Sequence, residues 1–82
     1  MNYCVYILYS ESTERFYTGQ TQDIDKRLAR HNLGQVKSTK GGKPWELVLV
    51  IKVKTRSEAL KLESKIKRRG AERFLNDNQF GV

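Results

Sequence analysis

Two short runs of strand-forming residues on either side of a polar segment predict a β-hairpin at the start of the chain. Residues 3–10 are rich in tyrosine, valine, isoleucine and leucine, residues 11–14 are a polar turn segment, and residues 16–20, which begin with Phe16 and Tyr17, are predicted to form a second short strand. Successive side chains point to opposite faces of a strand, so Tyr6 and Leu8 share one face. If Leu8 pairs with Tyr17, the tyrosines Tyr6 and Tyr17 are diagonal neighbours there. A register slip of one residue would separate them.

The next segment has the end signals of a helix. Asp23 is a suitable N-cap, the helix is expected to run to about Asn32, and Gly34 is a suitable stop. Ile24 and Leu28 form its apolar edge, which predicts packing against the sheet.

A second helix is predicted after the third strand. Thr55 and Glu58 have the spacing of a capping box, and the helix is expected to end near Arg69 because Gly70 follows. One stripe of this helix should face the core, with members at i, i+3, i+4 and i+7: Ala59, Leu62, Glu63 and Ile66.

The remaining segments complete an α+β pattern. Residues 34–44 form a cationic loop that we expect to be flexible and too polar to pack, and residues 45–53 are the most hydrophobic stretch, which predicts a central strand. A further short helix is expected around residues 72–75. The order β-β-α-β-α predicts one domain over residues 1–82, with a small, three-stranded, largely antiparallel sheet flanked by helices.

Composition adds a preference for polyanions. Lysine and arginine number 16 against 9 acidic residues, which gives a formal net charge of +7. Nucleic acid or an anionic membrane surface would suit this charge, although excess lysine can also serve solubility alone. The single cysteine, Cys4, excludes an internal disulfide and fits a reducing cytoplasm. No apolar run approaches the ~18 residues of a membrane span, and the N-terminus lacks a signal-peptide layout.

Five polar side chains have the chemistry that phosphodiester hydrolysis requires. Glu63 is costly on a core-facing stripe unless it is ion-paired or binds a cation, so a salt bridge and a Mg²⁺ or Mn²⁺ site both remain open. Arg27 suits the charge that grows on phosphate oxygens, and His31, one turn away, can move a proton near neutral pH. The plainer alternatives are a solvated arginine and a partly buried surface histidine. Tyr6 and Tyr17 are either ordinary strand aromatics or bases whose pKa, ~10 when free, is lowered by a cation.

Lysines in the loop and on the second helix are expected to contact phosphates. They would provide affinity and salt dependence without reading sequence. The candidates are Lys37, Lys40, Lys43, Lys65 and Lys67.

These residues resemble the GIY-YIG nuclease domain. Its two signature tripeptides match residues 4–6 and 17–19, where the tyrosines and the last glycine are kept, while Cys4 and Thr18 replace a glycine and an isoleucine. The family's arginine with a histidine four residues later matches Arg27 and His31. Its metal-binding glutamate matches Glu63.

The resemblance covers residues 2–70 and is closest to the small, stand-alone bacterial members. Many members carry a late asparagine, for which Asn76 and Asn78 are the candidates. Several carry an aromatic residue or a histidine in the loop before the third strand, where this chain has Ser38 and Thr39. Larger members attach a separate DNA-binding domain.

The resemblance implies a divalent-metal-dependent endonuclease that hydrolyses phosphodiester bonds in DNA, with structured or damaged DNA in repair as the expected substrate. Tyr6, Tyr17, Arg27 and His31 would be catalytic, and Glu63 would hold one Mg²⁺ or Mn²⁺ ion. The alternative is a non-catalytic basic module that binds DNA or RNA on the same scaffold. The full set of five polar residues favours the enzyme. We expect a cytoplasmic monomer, with no membrane association and with a protein partner supplying specificity.

Overall fold

The chain folds into a three-stranded antiparallel sheet with helices on both faces, as seen in a computed structural model that describes residues 2–78. The elements are β1 (Tyr3–Ser10), β2 (Arg15–Thr21), α1 (Ile24–Asn32), a 3-10 helix (Lys37–Gly42), β3 (Trp45–Val53), α2 (Arg56–Arg69) and α3 (Ala71–Asn78). The predicted α+β class is confirmed.

The hairpin has the register that brings its two candidate tyrosines to one face. Leu8 lies opposite Tyr17, and Tyr6 lies opposite Gly19. Tyr6 and Tyr17 therefore pack in the same cluster, on the face that α1 covers.

The predicted position of β3 at the centre of the sheet is wrong. The strand order is β2-β1-β3, so β1 is central and β3 lies at an edge of the described sheet. An apolar run is typical of a strand that is covered on both faces, but it does not indicate how many strands flank it. Leu47 and Val48 of β3 are 36% and 43% exposed, close to a register irregularity in the pairing with β1.

Separate apolar clusters cover the two faces of the sheet. On one face, Tyr6, Leu8 and Trp45 pack with the apolar edge of α1, formed by Ile24 and Leu28. On the other face the cluster joins β1 to α2 and α3, and its buried members are Val5, Ile7, Ala59, Ile66 and Phe74. The sheet thus separates the α1 side of the molecule from the α2 side.

The loop before β3 packs, contrary to the sequence-based expectation. It contains the 3-10 helix, in which Thr39 and Gly42 are buried. Ser10 donates a hydrogen bond to the Gly42 carbonyl at 2.6 Å, and the Trp45 indole donates one to the Thr39 carbonyl at 2.8 Å. Polar groups can be buried when they are hydrogen-bonded, and these bonds satisfy that condition.

Both ends of α1 are fixed as the sequence predicts. The Asp23 carboxylate accepts a hydrogen bond from the Lys26 amide at 3.0 Å. At the other end Gly34 has a φ of +75°, and the Gln35 amide donates to the Arg30 carbonyl at 3.0 Å. This is a Schellman turn, which glycine adopts without strain. The caps hold the helix that carries the candidate arginine and histidine.

Helix α2 begins at the predicted capping residues. Thr55 Oγ1 accepts a hydrogen bond from the Glu58 amide at 3.1 Å, and the Glu58 carboxylate accepts one from the Lys54 amide at 3.4 Å. The helix ends before Gly70, whose φ is +91°. These signals fix the start of the helix that carries Glu63.

Candidate active site

Tyr6 lies at the centre of the candidate site and has no exposed surface. Its ring crosses from β1 over Gly19 of β2. A Cβ atom at Gly19 would lie 2.6 Å from Tyr6 Oη and 2.8 Å from Cζ, closer than such atoms can approach. The last glycine of the second tripeptide therefore provides the space that the Tyr6 hydroxyl occupies at the edge of the sheet.

His31 of α1 holds the Tyr6 hydroxyl from the side of the helix. Its Nε2 lies 3.1 Å from Tyr6 Oη, and its Nδ1 lies 2.7 Å from Thr39 Oγ1. The imidazole also packs against Tyr17, with ring centroids 5.1 Å apart. His31 is 0% exposed, so it is more deeply buried than a surface histidine.

A set of hydrogen bonds ties the end of α1 to the start of β3. The Asn32 side chain accepts from the Trp45 amide at 2.5 Å and donates to the Trp45 carbonyl at 3.1 Å. Because Asn32 follows His31 directly, these bonds limit the movement of the imidazole relative to the sheet.

Glu63 reaches the same edge strand from the other face. Its carboxylate accepts a hydrogen bond from the Gln20 side-chain amide at 3.2 Å and forms an ion pair with Lys67 at 2.8 Å. Gln20 directly follows Gly19, the residue that leaves space for the Tyr6 hydroxyl on β2. The salt bridge that the sequence left open is thus present, and the carboxylate also lies at the β2 edge.

The charges of α1 and α2 both act on Tyr6. Burial, with Tyr17 second, raises the pKa of Tyr6 to about 12, while Arg27 lowers this pKa and Glu63 raises it. The expectation that a cation lowers the phenol pKa holds for the direction of the Arg27 effect. The net shift is opposite, because desolvation of the phenolate is the larger cause.

His31 is held in its neutral form. Burial lowers the pKa of His31, and the positive charges of Arg27 and Arg30 lower it further. At neutral pH the site therefore pairs a neutral phenol with a neutral imidazole.

The donor set fits a divalent ion held by one carboxylate. Within residues 2–78, no group of three or more histidine, cysteine, aspartate and glutamate side chains is arranged to hold a metal. Mg²⁺ commonly binds through one or two carboxylates, with waters and substrate phosphates as the other ligands. Glu63, with 19% of its side chain exposed, can serve in this way if Lys67 moves aside.

The five candidate lysines are all exposed, but they lie in different places. Lys40 and Lys43 flank Gly34 at the end of α1, and Lys37 begins the 3-10 helix. Lys67 pairs with Glu63, whereas Lys65 lines a groove between α2 and α3. Contact of these lysines with nucleic acid stays a prediction.

Three partners of the site were missed by sequence reasoning: Thr39, Gln20 and Asn32. In the sequence Thr39 is only a hydroxyl at a place where several family members carry an aromatic residue or a histidine, and nothing in the sequence distinguishes Gln20 or Asn32 from surface residues. Of the two late asparagines, Asn76 is exposed on α3 and the side chain of Asn78 lies outside the described part of the chain.

The fold and the site define a small α+β domain with a buried tyrosine–histidine pair beside strand β2, a carboxylate bonded to the same strand, and an arginine on α1 whose charge acts on the tyrosine. The chain belongs to the GIY-YIG family, because the model of the GIY-YIG catalytic domain matches residues 2–76. This confirms the resemblance found in the sequence.

Among its relatives are small proteins of similar size. The chain is 50% identical over 52 residues to the UPF0213 protein SSP2268 of Staphylococcus saprophyticus, a match that covers 62% of this chain and 63% of that protein. The solution NMR structure of the UPF0213 protein BH0048 from Bacillus halodurans superposes with a TM-score of 0.60 at 30% identity, covering 99% of this chain and 86% of that one.

A larger relative has a named activity. The structure-specific endonuclease subunit slx1 of Schizosaccharomyces pombe is 35% identical over 85 residues, which cover 95% of this chain and 31% of that protein. The chain therefore spans less than two thirds of the length of SSP2268 and about a third of slx1.

The helices of residues 2–78 are too short or too polar to cross a lipid bilayer.

Proposed function

We propose that this protein is an endonuclease that hydrolyses phosphodiester bonds in DNA with the help of one divalent ion, and that residues 1–82 form one nuclease domain. The observation that carries the proposal is the buried Tyr6–His31 hydrogen bond at 3.1 Å, on which the charges of Arg27 and Glu63 converge. Membership of the GIY-YIG family and the similarity to slx1 support the same reaction class.

In the proposed reaction, Tyr6 passes a proton from the attacking water to His31. Because the pKa of Tyr6 is raised to about 12, the phenol keeps its proton at rest. Tyr6 has no exposed surface in the free protein, so the proposed step requires the substrate to displace the side chains over the Tyr6 hydroxyl and to bring the water there. Tyr6 then gives its proton to His31 Nε2 as it takes one from the water, whose oxygen forms the new bond to phosphorus. The bond to the leaving oxygen breaks, and that oxygen takes a proton from solvent. General acid–base steps of this kind accelerate reactions by roughly 10²–10⁴-fold.

Arg27 would stabilise the charge on the phosphate. It is partly buried on α1, one turn from His31, and its guanidinium carries several donors that match non-bridging phosphate oxygens. Tyr17 packs on the His31 ring and would help to orient it and the entering phosphate.

Glu63 would hold the divalent ion, with Gln20 orienting the carboxylate through its 3.2 Å hydrogen bond. When bound, Mg²⁺ or Mn²⁺ supplies Lewis-acid stabilisation of the phosphate oxygens. Lys67, released from its ion pair, would then be free to contact a neighbouring phosphate.

Structured or damaged DNA is the proposed substrate, in a repair role, and a protein partner would supply specificity. The support is the named relative slx1, a subunit of a structure-specific endonuclease. We place the reaction in the cytoplasm, where the buried free thiol of Cys4 would stay reduced.

The second candidate function is DNA or RNA binding without cleavage. The ion pair between Glu63 and Lys67 at 2.8 Å favours it, because a carboxylate that is already neutralised has less need of a metal. The two candidates differ in what a metal does to bound nucleic acid.

Cleavage of a panel of nucleic acids, with and without Mg²⁺ or Mn²⁺, tests the proposal. The panel contains single strands, duplexes, flaps, forks and junctions. The enzyme is expected to cut at least one DNA in a metal-dependent manner. Glu63→Ala should abolish cutting while binding stays equal or tightens, and Glu72→Gln, which removes an exposed carboxylate of α3, should cut normally. Binding of the panel by wild-type protein without any cutting would establish the second candidate.

A further inference from the structure

A chain of hydrogen bonds runs inward from the Tyr6 hydroxyl to the backbone of the 3-10 helix. His31 links Tyr6 to Thr39, with distances of 3.1 Å to Tyr6 Oη and 2.7 Å to Thr39 Oγ1. The Thr39 hydroxyl in turn donates to the Val36 carbonyl at 3.4 Å. Tyr6 and His31 are 0% exposed and Thr39 is 1% exposed, so in the free protein each donor of this hydrogen-bonded series needs an acceptor within the protein.

One tautomer of His31 satisfies all three donors. A neutral imidazole has one N–H donor and one acceptor nitrogen. With the proton on Nδ1, Tyr6 donates to Nε2, Nδ1 donates to Thr39 Oγ1, and Thr39 donates to Val36.

The other tautomer leaves a donor without an acceptor. With the proton on Nε2, His31 donates to Tyr6 Oη, and the Thr39 hydroxyl turns to Nδ1. The hydrogen of Tyr6 then has nothing to bond, since His31 is its only hydrogen-bond partner within residues 2–78. An unpaired buried donor is costly, so the first tautomer is favoured.

We propose that Thr39 is a positioning residue that fixes His31 in the tautomer with its proton on Nδ1, which leaves Nε2 free to accept the Tyr6 proton. Thr39 is itself held in place, because its carbonyl accepts the Trp45 indole hydrogen bond at 2.8 Å. Its hydroxyl therefore stays beside Nδ1.

The consequence for catalysis rests on the proposed nuclease function. Tyr6 can hand its proton to His31 only if Nε2 is unprotonated, so the wrong tautomer would block the transfer before it starts. After the transfer, the Nδ1 hydrogen still bonds to Thr39 Oγ1. Thr39 thus acts without touching the substrate.

Nitrogen-15 NMR of the imidazole tests the tautomer directly, and His31 is the only histidine of the chain, so its signals are unambiguous. Above the His31 pKa, wild-type protein and Thr39→Ser are expected to carry the proton on Nδ1. Thr39→Val, which keeps the shape but removes the acceptor, leaves one donor unpaired in either tautomer, so the preference for Nδ1 should be lost and the proton should be shared between the two nitrogens. Ser38→Ala, at the exposed neighbouring hydroxyl, should change nothing.

A wild-type spectrum with the proton on Nε2 would overturn the proposal, and this result needs no variant and no activity. So would a Thr39→Val protein in which the proton stays wholly on Nδ1. In cleavage, Thr39→Val is expected to lose roughly 10²-fold or more, with DNA affinity unchanged, and Thr39→Ser should restore the rate. If the wild-type tautomer is as proposed but no substrate is cut, the nuclease function fails and the positioning by Thr39 stands.

Discussion

At the scale of single residues, burial decides the protonation of the central pair. Tyr6 and His31 lie side by side without exposed surface. Burial is the largest cause of both the raised pKa of Tyr6 and the lowered pKa of His31. Both groups are neutral at neutral pH, so they interact as hydrogen-bond donor and acceptor and not as an ion pair. This neutrality has consequences for stability as well as for catalysis.

The stability of the protein should fall as the pH drops below about 6.5, the ordinary histidine pKa. The pKa of His31 is lowered in the folded state. Between that lowered value and about 6.5, the unfolded chain therefore binds one more proton than the folded chain, and this favours unfolding as the pH falls. The slope for one proton is at most about 1.4 kcal/mol per pH unit. Urea unfolding over this range measures it. His31→Gln should flatten the profile, and stability that holds or rises as the pH falls would refute the account.

Arg27 and Arg30 offer a matched pair on one helix. Arg27 is partly buried near Tyr6, whereas Arg30 is exposed. Arg27→Ala should slow single-turnover cleavage by at least roughly 10²-fold, or ~3 kcal/mol, which is typical of losing one transition-state donor. Binding should change far less, because the charge that Arg27 opposes develops mainly in the transition state. Arg30→Ala should cut almost normally. If the two variants lost the same fraction of the cleavage rate, Arg27 would have no specific role in cleavage.

At the scale of elements, the helices were predictable because their ends carry local signals. Asp23, Thr55 and the glycines that follow α1 and α2 act through neighbouring backbone groups, which a sequence displays directly. The order of the strands was not predictable from an apolar run. The packing of the loop before β3 was not predictable either, because it depends on tertiary contacts. Thr39 of this loop is hydrogen-bonded to His31 of α1 and to Trp45 of β3.

The same distinction applies to the candidate site. The spacing of residue types, together with the family resemblance, gives Tyr6, Tyr17, Arg27, His31 and Glu63 as candidates, and their roles stay predictions. Their partners could not be named, because Thr39 and Gln20 acquire their roles only when elements distant in sequence come together. The ion pair of Glu63 was one of two open alternatives, and a helical spacing of four residues to Lys67 is compatible with either.

Gly19 and Gly41 test the packing of the hairpin. Gly19→Ala would place a Cβ atom 2.6 Å from the Tyr6 hydroxyl, so the ring or β2 must shift. We expect a loss of about 1–3 kcal/mol in the free energy of unfolding, together with a loss of cleavage. A Cβ atom at Gly41 would have no atom within 4 Å, so the control variant Gly41→Ala should leave the free energy of unfolding and the cleavage rate nearly unchanged. Thermal or urea unfolding of the two variants makes the comparison, and an unaffected Gly19→Ala protein would contradict the described position of Tyr6.

At the scale of the whole molecule, the net charge of +7 is spread over several surfaces. Lys40 and Lys43 lie beside Gly34, which ends α1, while Lys65 lies on α2 and faces the groove toward α3. If the α1 end faces the substrate, its lysines should contribute more to affinity than equal charge elsewhere.

DNA affinity should therefore fall steeply with salt, with a log–log slope of roughly 0.9 per phosphate contacted on a duplex. Replacing Lys40 and Lys43 by alanine should flatten the slope by about two contacts without altering sequence preference. The double replacement of Lys52 and Lys54, exposed near the end of β3, removes the same charge and serves as control. If both double variants reduced the slope equally, or if DNA affinity did not depend on salt, the surface around Lys40 and Lys43 would not be the DNA-binding surface.

The proposed reaction requires the Tyr6 hydroxyl to take part in phosphodiester cleavage. The most direct measurement is the single-turnover rate on a DNA substrate that the wild-type protein cuts, compared between Tyr6→Phe and Tyr3→Phe. Tyr6→Phe removes one hydroxyl from the site, and Tyr3→Phe removes one on the opposite face of the sheet. We predict a loss of at least roughly 10²-fold for Tyr6→Phe at unchanged DNA affinity, and no loss for Tyr3→Phe. A Tyr6→Phe protein that cuts as fast as wild type would contradict the account.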